Sequence, residues 1–288
     1  MSFGVHPGHC RSGSPPGSRE TELMYPASLV DAVHGLLLAG GSAFGLAAAD
    51  GIVRFLREQG HGFVMPHGVV PIVPGAVIYD LDVNRNPGLL PDAAMGYAAA
   101  RGATERPVPR GRVGAGTGAR CGRMFGLTAE QDHTSPAGLG SALVESRGIL
   151  VGALVVLNSL GNVHDPDSGL FLAGGRDADG QPFSRETVFS TLASEAIPQT
   201  NTVLTVVATN VPLGKAAATR LARMASGGLA RAIRPAHLVH DGDIVFALSA
   251  KTGLPPSAGP WTENLLGAMS AEAAAQAVVD AVRPRGQY

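Results

Sequence analysis

The run Gln199-Thr200-Asn201-Thr202-Val203-Leu204-Thr205-Val206-Val207-Ala208-Thr209-Asn210 carries two readings at once. Its β-branched residues after position 202 predict a strand, because a branched Cβ fits a pleated surface better than a helix. The asparagine before them suits the turn that leads in. The dipeptide Asn201-Thr202 also has the chemistry of a self-cleavage site. A threonine hydroxyl can attack the carbonyl that precedes it, and cleavage would leave Thr202 with a free α-amine. Such an amine has a reference pKa of about 7.7 to 8.0, so near neutrality it can act as general base to its own hydroxyl. Taken alone, the dipeptide is compatible with a plain strand start and with a scissile bond.

Outward from this run, apolar segments of strand and helix type alternate, which predicts a mixed α and β layered fold. Residues 33 to 39 read as a buried strand. A helix follows with Ser42 as N-cap and Gly60 as its stop. Residues 69 to 81 are β-rich, although Pro71 and Pro74 confine regular pairing to the later part. A short alanine-rich helix is predicted near 91 to 102, then a glycine-rich irregular stretch from 110 to 142. The apolar run at 148 to 158 suits a strand covered on both faces. Residues 162 to 183 read as a surface loop and Ser184 opens a helix to about Ala196. Further on come a helix from about Gly214 to Ser226, a strand at 244 to 248, and a C-terminal helix with Leu265, Met269, Ala273 and Ala277 on one face.

The 288 residues, 45% of them hydrophobic, can bury a large core, and with no linker-like stretch a single domain over 1–288 is expected. The balance of 22 basic and 23 acidic residues gives a net charge of −1, which supports neither a nucleic acid nor an anionic membrane partner. Cys10 and Cys121 suggest neither a disulfide framework nor a zinc site, so a reducing cytoplasm is the expected compartment. No signal peptide is visible, and no apolar run approaches the roughly 20 residues that span a bilayer.

Several groups of residues invite a functional reading. Gly114-Ala-Gly-Thr-Gly-Ala119 fits a dinucleotide fingerprint in letters, but not in context, because no buried strand precedes it. Gly40-Gly41-Ser42 lies between strand and helix signals. Ser42 there replaces the glycine needed for a pyrophosphate, although the backbone N–H groups could hold a substrate carboxylate. His6, His9 and Cys10 sit in what reads as an irregular terminus, and like His61 and His67 they lack the spacing of metal ligands. No metal or cofactor is expected. Asp241 and Asp243 flank Gly242, either as a tight turn or as paired carboxylates ordering a nucleophile. Asn158 ends an apolar run, where its amide could donate to an oxyanion or start a turn. Tyr79 is at home in a strand whether or not its hydroxyl serves a site.

The segments V-H-G-L-L-L-A-G-G-S-A-F-G-L-A-A-A-D-G, P-I-V-P-G-A-V-I-Y-D-L, V-G-A-G-T-G-A, N-T-V-L-T-V-V-A-T-N, G-L-A-R-A-I-R-P and D-G-D-I-V-F-A-L occur in that order. Together they closely resemble the DmpA-like self-processing aminopeptidases, a group that includes β-peptidyl aminopeptidases and 6-aminohexanoate oligomer hydrolases. The resemblance spans roughly residues 12 to 250. It implies an α+β fold, a four-layer αββα sandwich of the DmpA and ornithine acetyltransferase type. It also implies a precursor cut between Asn201 and Thr202 into an α chain, 1–201, and a β chain, 202–288, which stay together and assemble into homo-oligomers.

By the same resemblance Thr202 is the N-terminal nucleophile, acting on a small peptide or amide without a cofactor. Asn158 matches an active-site asparagine, Tyr79 the tyrosine of V-I-Y-D, and Asp241 with Asp243 the acidic pair of the nylon-hydrolase branch. Many relatives carry a lysine where this chain has Arg123, and arginine can hold an anion but not shuttle protons. Relatives usually also carry a further stretch of strands before the matching part, and the late start here is expected to reflect either its true absence or a wrongly assigned start codon. The alternatives are an acyl transferase of the ornithine acetyltransferase kind and an uncut homologue that only binds ligands.

Overall fold

In the computed structural model, residues 5–14, 16–83, 88–126, 132–193, 201–250 and 260–283 are described. Its centre is a five-stranded sheet in the order His6–Gly13, Gly242–Ser249, Thr202–Thr209, Ile149–Asn158, Leu139–Ser146. Neighbours run antiparallel except for Thr202–Thr209 and Gly242–Ser249, which run parallel. Parallel neighbours need a crossover, and the helix Lys215–Ala232 supplies it.

Side chains alternate across each central strand, as a period of two requires. Val151, Val155, Leu157, Val203, Val207, Val245 and Ala247 face the helices Lys215–Ala232 and Pro260–Asp280, meeting Leu221, Leu229, Leu266 and Ala273. Val156, Leu204, Ile244 and Phe246 point the other way, onto Ala76 and Ile78. Ala76 belongs to a second, three-stranded sheet of Ser18–Arg19, Gly75–Val77 and Leu37–Ala39. The outer face of that sheet is covered by the helix Ala48–Glu58, through Leu37, Ala39, Ala48, Ala49 and Val77. Helix, sheet, sheet and helix therefore form four layers, the αββα arrangement expected. The two helices of the first layer approach closely at Gly228, where a Cβ would collide with the Ala271 backbone.

The alanine-rich helix foreseen near 91 to 102 and the helix opened by Ser184 are both present. Asp92 caps the helix Ala93–Arg101 by accepting from the Met95 N–H, and Ser184 caps Arg185–Leu192 by accepting from Thr187 N–H. The rest of the predicted helix to Ala196 falls largely outside the described residues. The prolines interrupt the 69 to 81 segment but do not confine pairing to its later part, because Gly68–Val70 pairs with Phe63–Met65 before Pro71 and Gly75–Val77 pairs separately after Pro74.

Other expectations need correction. The segment around His6, His9 and Cys10 is a strand, paired over its whole length with Gly242–Ser249. Ser42 does not cap a helix: it adopts φ 55, its N–H is spent on Ile78 O, and a 3₁₀ turn over Ser42–Ala47 precedes the helix proper at Ala48. The strand foreseen at 33 to 39 is confined to Leu37–Ala39, and the supposed loop at 162 to 183 contains the strands Asn162–His164 and Phe171–Ala173. The helix foreseen to Ser226 continues to Ala232. Among the described residues no helix is long and apolar enough to cross a membrane.

Candidate active site around Thr202

Four strand ends meet at one end of the central sheet. Thr202 and Gly242 open parallel strands, which must begin on the same side, and the antiparallel neighbours end there, so that Asn158 lies opposite Thr202 and Gly13 opposite Gly242. A parallel bridge between Asn201 and Asp241 extends the pairing one step beyond the sheet. The foreseen Asp-Gly turn is displaced accordingly. The chain reverses over Leu238–Asp241, closed by Asp241 N–H donating to Leu238 O at 2.9 Å, and Gly242 is already strand.

Two donors converge on the carbonyl oxygen of Asn201. The Thr202 hydroxyl donates to it at 2.6 Å and the Gly242 N–H at 2.8 Å. Gly242 has to lack a side chain for this, since a Cβ there would stand 2.6 Å from Thr202 Oγ1 and 3.2 Å from Pro16 Cα. The Asn201 side chain is fixed separately: its Oδ1 accepts from Arg123 Nε at 3.1 Å, while the Arg123 fork also donates to Asp82 Oδ2 at 2.6 Å. Arg123 is 3% exposed. Gly122, at φ 74, turns the chain into it, and the Gly122 and Arg123 N–H groups donate to Gly161 O and Ser159 O, so the arginine is tied to the segment that follows Asn158.

The fully buried Asn158 amide links two neighbouring backbones, with Oδ1 accepting from Arg120 N–H at 3.1 Å and Nδ2 donating to Tyr79 O at 3.0 Å. Tyr79 lines a cavity of about 230 Å³ together with Ser42, Asn201, Thr202, His240 and Gly242. Asp243 Oδ1 accepts the N–H of Val203, one residue after the threonine, at 2.9 Å. Asp241 accepts from Leu238 N–H at 2.9 Å. Burial first, and then the neighbouring Asp243 charge, push the Asp241 carboxyl up to about 7. Near neutrality both its protonated and its ionised forms are therefore populated.

Every residue singled out for catalysis in the sequence thus falls within this one neighbourhood. Gly40, Gly41 and Ser42 divide. Ser42 borders the Thr202 cavity, whereas Gly40 and Gly41 line a larger, mostly apolar cavity of about 810 Å³ with Leu38, Ile52, Met95 and Asp80. Gly41 N–H donates to Asp80 Oδ1 at 2.7 Å, so it and the Ser42 N–H are committed within the protein and do not form the cradle foreseen for a substrate carboxylate. The larger cavity does not include Thr202 in its lining, whereas the smaller one does. His237 was not foreseen as a site residue. Its Nδ1 lies 2.8 Å from Asp243 Oδ2, a contact created by a turn and invisible in residue spacing.

The sequence profile of Peptidase family S58 matches residues 4–284. An uncharacterized aminopeptidase of Mycobacterium tuberculosis strain H37Rv is 42% identical, over 95% of this chain and 80% of its own length. The 6-aminohexanoate-oligomer endohydrolase of Kocuria sp. strain KY2 is 30% identical, over 87% of this chain and 72% of its own. In fold, the chain is similar to the L-aminopeptidase D-Ala-esterase/amidase of Ochrobactrum anthropi, a variant of the Ntn hydrolase fold, with TM-score 0.67 at 20% identity, covering 96% of this chain and 72% of that one. A matched profile over nearly the whole length and relatives of this similarity lead to one conclusion: the chain belongs to peptidase family S58 and is a hydrolase of peptide or amide bonds.

Proposed function

We propose that the chain cuts itself between Asn201 and Thr202, and that the freed Thr202 hydrolyses amide bonds of small peptides or amides through an acyl-enzyme. The observation that carries this reading is the convergence of the Thr202 hydroxyl and the Gly242 N–H on the Asn201 carbonyl oxygen. A hydroxyl so placed lies beside the carbon it would attack, and a backbone N–H aimed at that oxygen stabilises the charge developing on it. In the precursor, a bond forms between Thr202 Oγ and the Asn201 carbonyl carbon. The C–N bond then breaks, and the proton that leaves Oγ ends on the Thr202 nitrogen. That step frees the Thr202 amine, and water then hydrolyses the ester between Asn201 and Thr202 Oγ to give the Asn201 carboxyl and return the Thr202 hydroxyl. Arg123, by holding Asn201 Oδ1, keeps the scissile residue from rotating.

In the mature enzyme the Thr202 amine takes the hydroxyl proton as Oγ attacks the substrate carbonyl. The leaving amine departs protonated, and water releases the acyl group. Asp243 fixes the Val203 backbone beside the nucleophile, and Tyr79 borders the space where substrate meets it. The larger cavity shares the 40–42 and 79–80 segments with this space and offers room for the body of the substrate. Action in the cytoplasm and assembly into homo-oligomers belong to the same proposal.

The test is intact mass with N-terminal sequencing of the purified protein, followed by a panel of aminoacyl p-nitroanilides. Fragments 1–201 and 202–288, the second beginning T-V-L-T, with release of p-nitroaniline into water, are the expected result. A chain that stays whole and hydrolyses nothing refutes the proposal, and release that depends on an added amine acceptor makes the protein an acyl transferase. Gly242→Ala adds a finer check. The added methyl displaces the Thr202 hydroxyl, so cleavage is expected to slow by about 10-fold or more, followed as the appearance of the 202–288 fragment on a denaturing gel, with far-ultraviolet circular dichroism unchanged.

A further inference from the structure

Behind Asp243 runs a chain of hydrogen bonds that the reaction above does not use. Asp243 Oδ1 accepts the Val203 N–H, and Oδ2 meets His237 Nδ1 at 2.8 Å. His237 Nε2 stands 3.0 Å from Ser226 Oγ and 3.2 Å from Ser226 O, and Ser226 Oγ lies 3.0 Å from Ser12 Oγ. The crossover helix that carries Ser226 and the edge strand that carries Ser12 therefore both brace the imidazole. His237 adopts φ 59, a conformation that costs most side chains energy and suits asparagine better.

We propose that His237 is a positioning residue for Thr202, acting through Asp243 by holding the carboxylate that fixes the Val203 backbone. The inference rests on Thr202 being the nucleophile. Asp243 has one oxygen for Val203 and one for His237; without the imidazole the second oxygen is left in a buried site, and the carboxylate is free to rotate away from the Val203 N–H. The charged groups facing His237 are Asp243 by contact and Asp241 through space. Burial by itself would lower the histidine, but the hydrogen bond and charge of Asp243 outweigh it and hold the imidazole above its ordinary value. When protonated, the imidazole is the counter-charge of the Asp243 carboxylate across the 2.8 Å contact. As pH rises through the His237 value, Asp243 loses its counter-charge and the two carboxylates repel across Gly242. The Thr202 amine must be neutral to act, so it sets the acid limb of the rate profile, and His237 shapes the alkaline limb together with Asp241.

The experiment measures kcat and KM against pH for the processed wild type, His237→Ala and His237→Asn, with processing scored by mass. Asparagine places an amide N–H where Nδ1 stood and tolerates the left-handed backbone, but it does not titrate. The alanine variant is expected to lose about 10-fold or more in kcat with KM within about twofold. The asparagine variant is expected to keep kcat at neutral pH within about threefold and to lose the part of the alkaline limb that His237 sets, so that its profile differs from that of the wild type. Wild-type kcat in a folded alanine variant overturns the proposal, as does an asparagine variant with the wild-type alkaline limb. If alanine prevents folding, the asparagine profile decides alone. Failure of the Thr202 reading would look different, because the wild type would then be neither cut nor active.

Discussion

Thr202→Ala is expected to leave a full-length chain of 288 residues and to reduce amide hydrolysis by about 10³-fold or more. Removing one oxygen removes the nucleophile of both reactions, and with no cut there is no free amine to act as base. Everything else in the site is expected to persist, since Val203 still donates to Asp243 and Asn201 still meets Arg123. Thr202→Ser keeps hydroxyl and amine, losing only a methyl group, so it is expected to cut and to hydrolyse within about 10-fold of wild type. Mass spectrometry of both variants, beside p-nitroanilide turnover, checks the pair. An alanine variant that is still cut at position 202, or still turns over at the wild-type rate, would remove Thr202 from the mechanism.

Asp241→Asn is expected to make the fold more stable, and increasingly so as pH rises. The Asp241 carboxyl, at about 7 in the folded protein, stands far above its ordinary 3.8. Below about pH 4 it is protonated in both the folded and unfolded states and costs nothing. Between there and pH 7 the unfolded chain releases a proton that the folded chain retains, so stability is lost progressively with rising pH, and the deficit levels off above pH 7. At about 1.4 kcal/mol for each pKa unit the gap reaches on the order of 4 kcal/mol. The raised His237 imidazole acts in the same direction, losing its stabilisation as pH rises through a value above 6.5, so some alkaline destabilisation remains in the variant. Thermal unfolding at pH 5 and pH 8 reads the effect. A Tm difference between variant and wild type that is the same at both values would mean that Asp241 is ionised throughout.

Elements whose stability is local were legible without coordinates. The strands at 149–158, 202–209 and 242–249 announce themselves by β-branched and apolar runs, and the cap at Ser184 by a polar side chain before a helical segment. The strand His6–Gly13 has no apolar alternation to announce it. It exists because the Gly242–Ser249 strand presents an edge that its backbone can pair with, which is a property of the partner. Ser42 misled for a related reason: its N–H finds Ile78 O in the neighbouring strand, and that bond outweighs its local capping preference. His237 and Asp243 are six residues apart with no helical or strand period joining them, and only the turn over Leu238–Asp241 brings the imidazole back onto the carboxylate.

The sequence by itself determined the family pattern, the alternation of apolar strands and helices, and the identity of the chemically able residues: Thr202, Asn158, Tyr79, Arg123, Asp241 and Asp243. What only the tertiary structure decided is how those residues face one another. Parallel pairing of Thr202–Thr209 with Gly242–Ser249 forces both strands to begin at the same end of the sheet, so residues forty positions apart in the chain share one site. That pairing aims the Gly242 N–H at the Asn201 carbonyl, stations Asp243 under Val203 and recruits His237 behind it. The reason is physical: side-chain chemistry is carried by each residue wherever it lies, whereas hydrogen-bond direction, burial and the field of a neighbouring charge come into being only when distant segments pack.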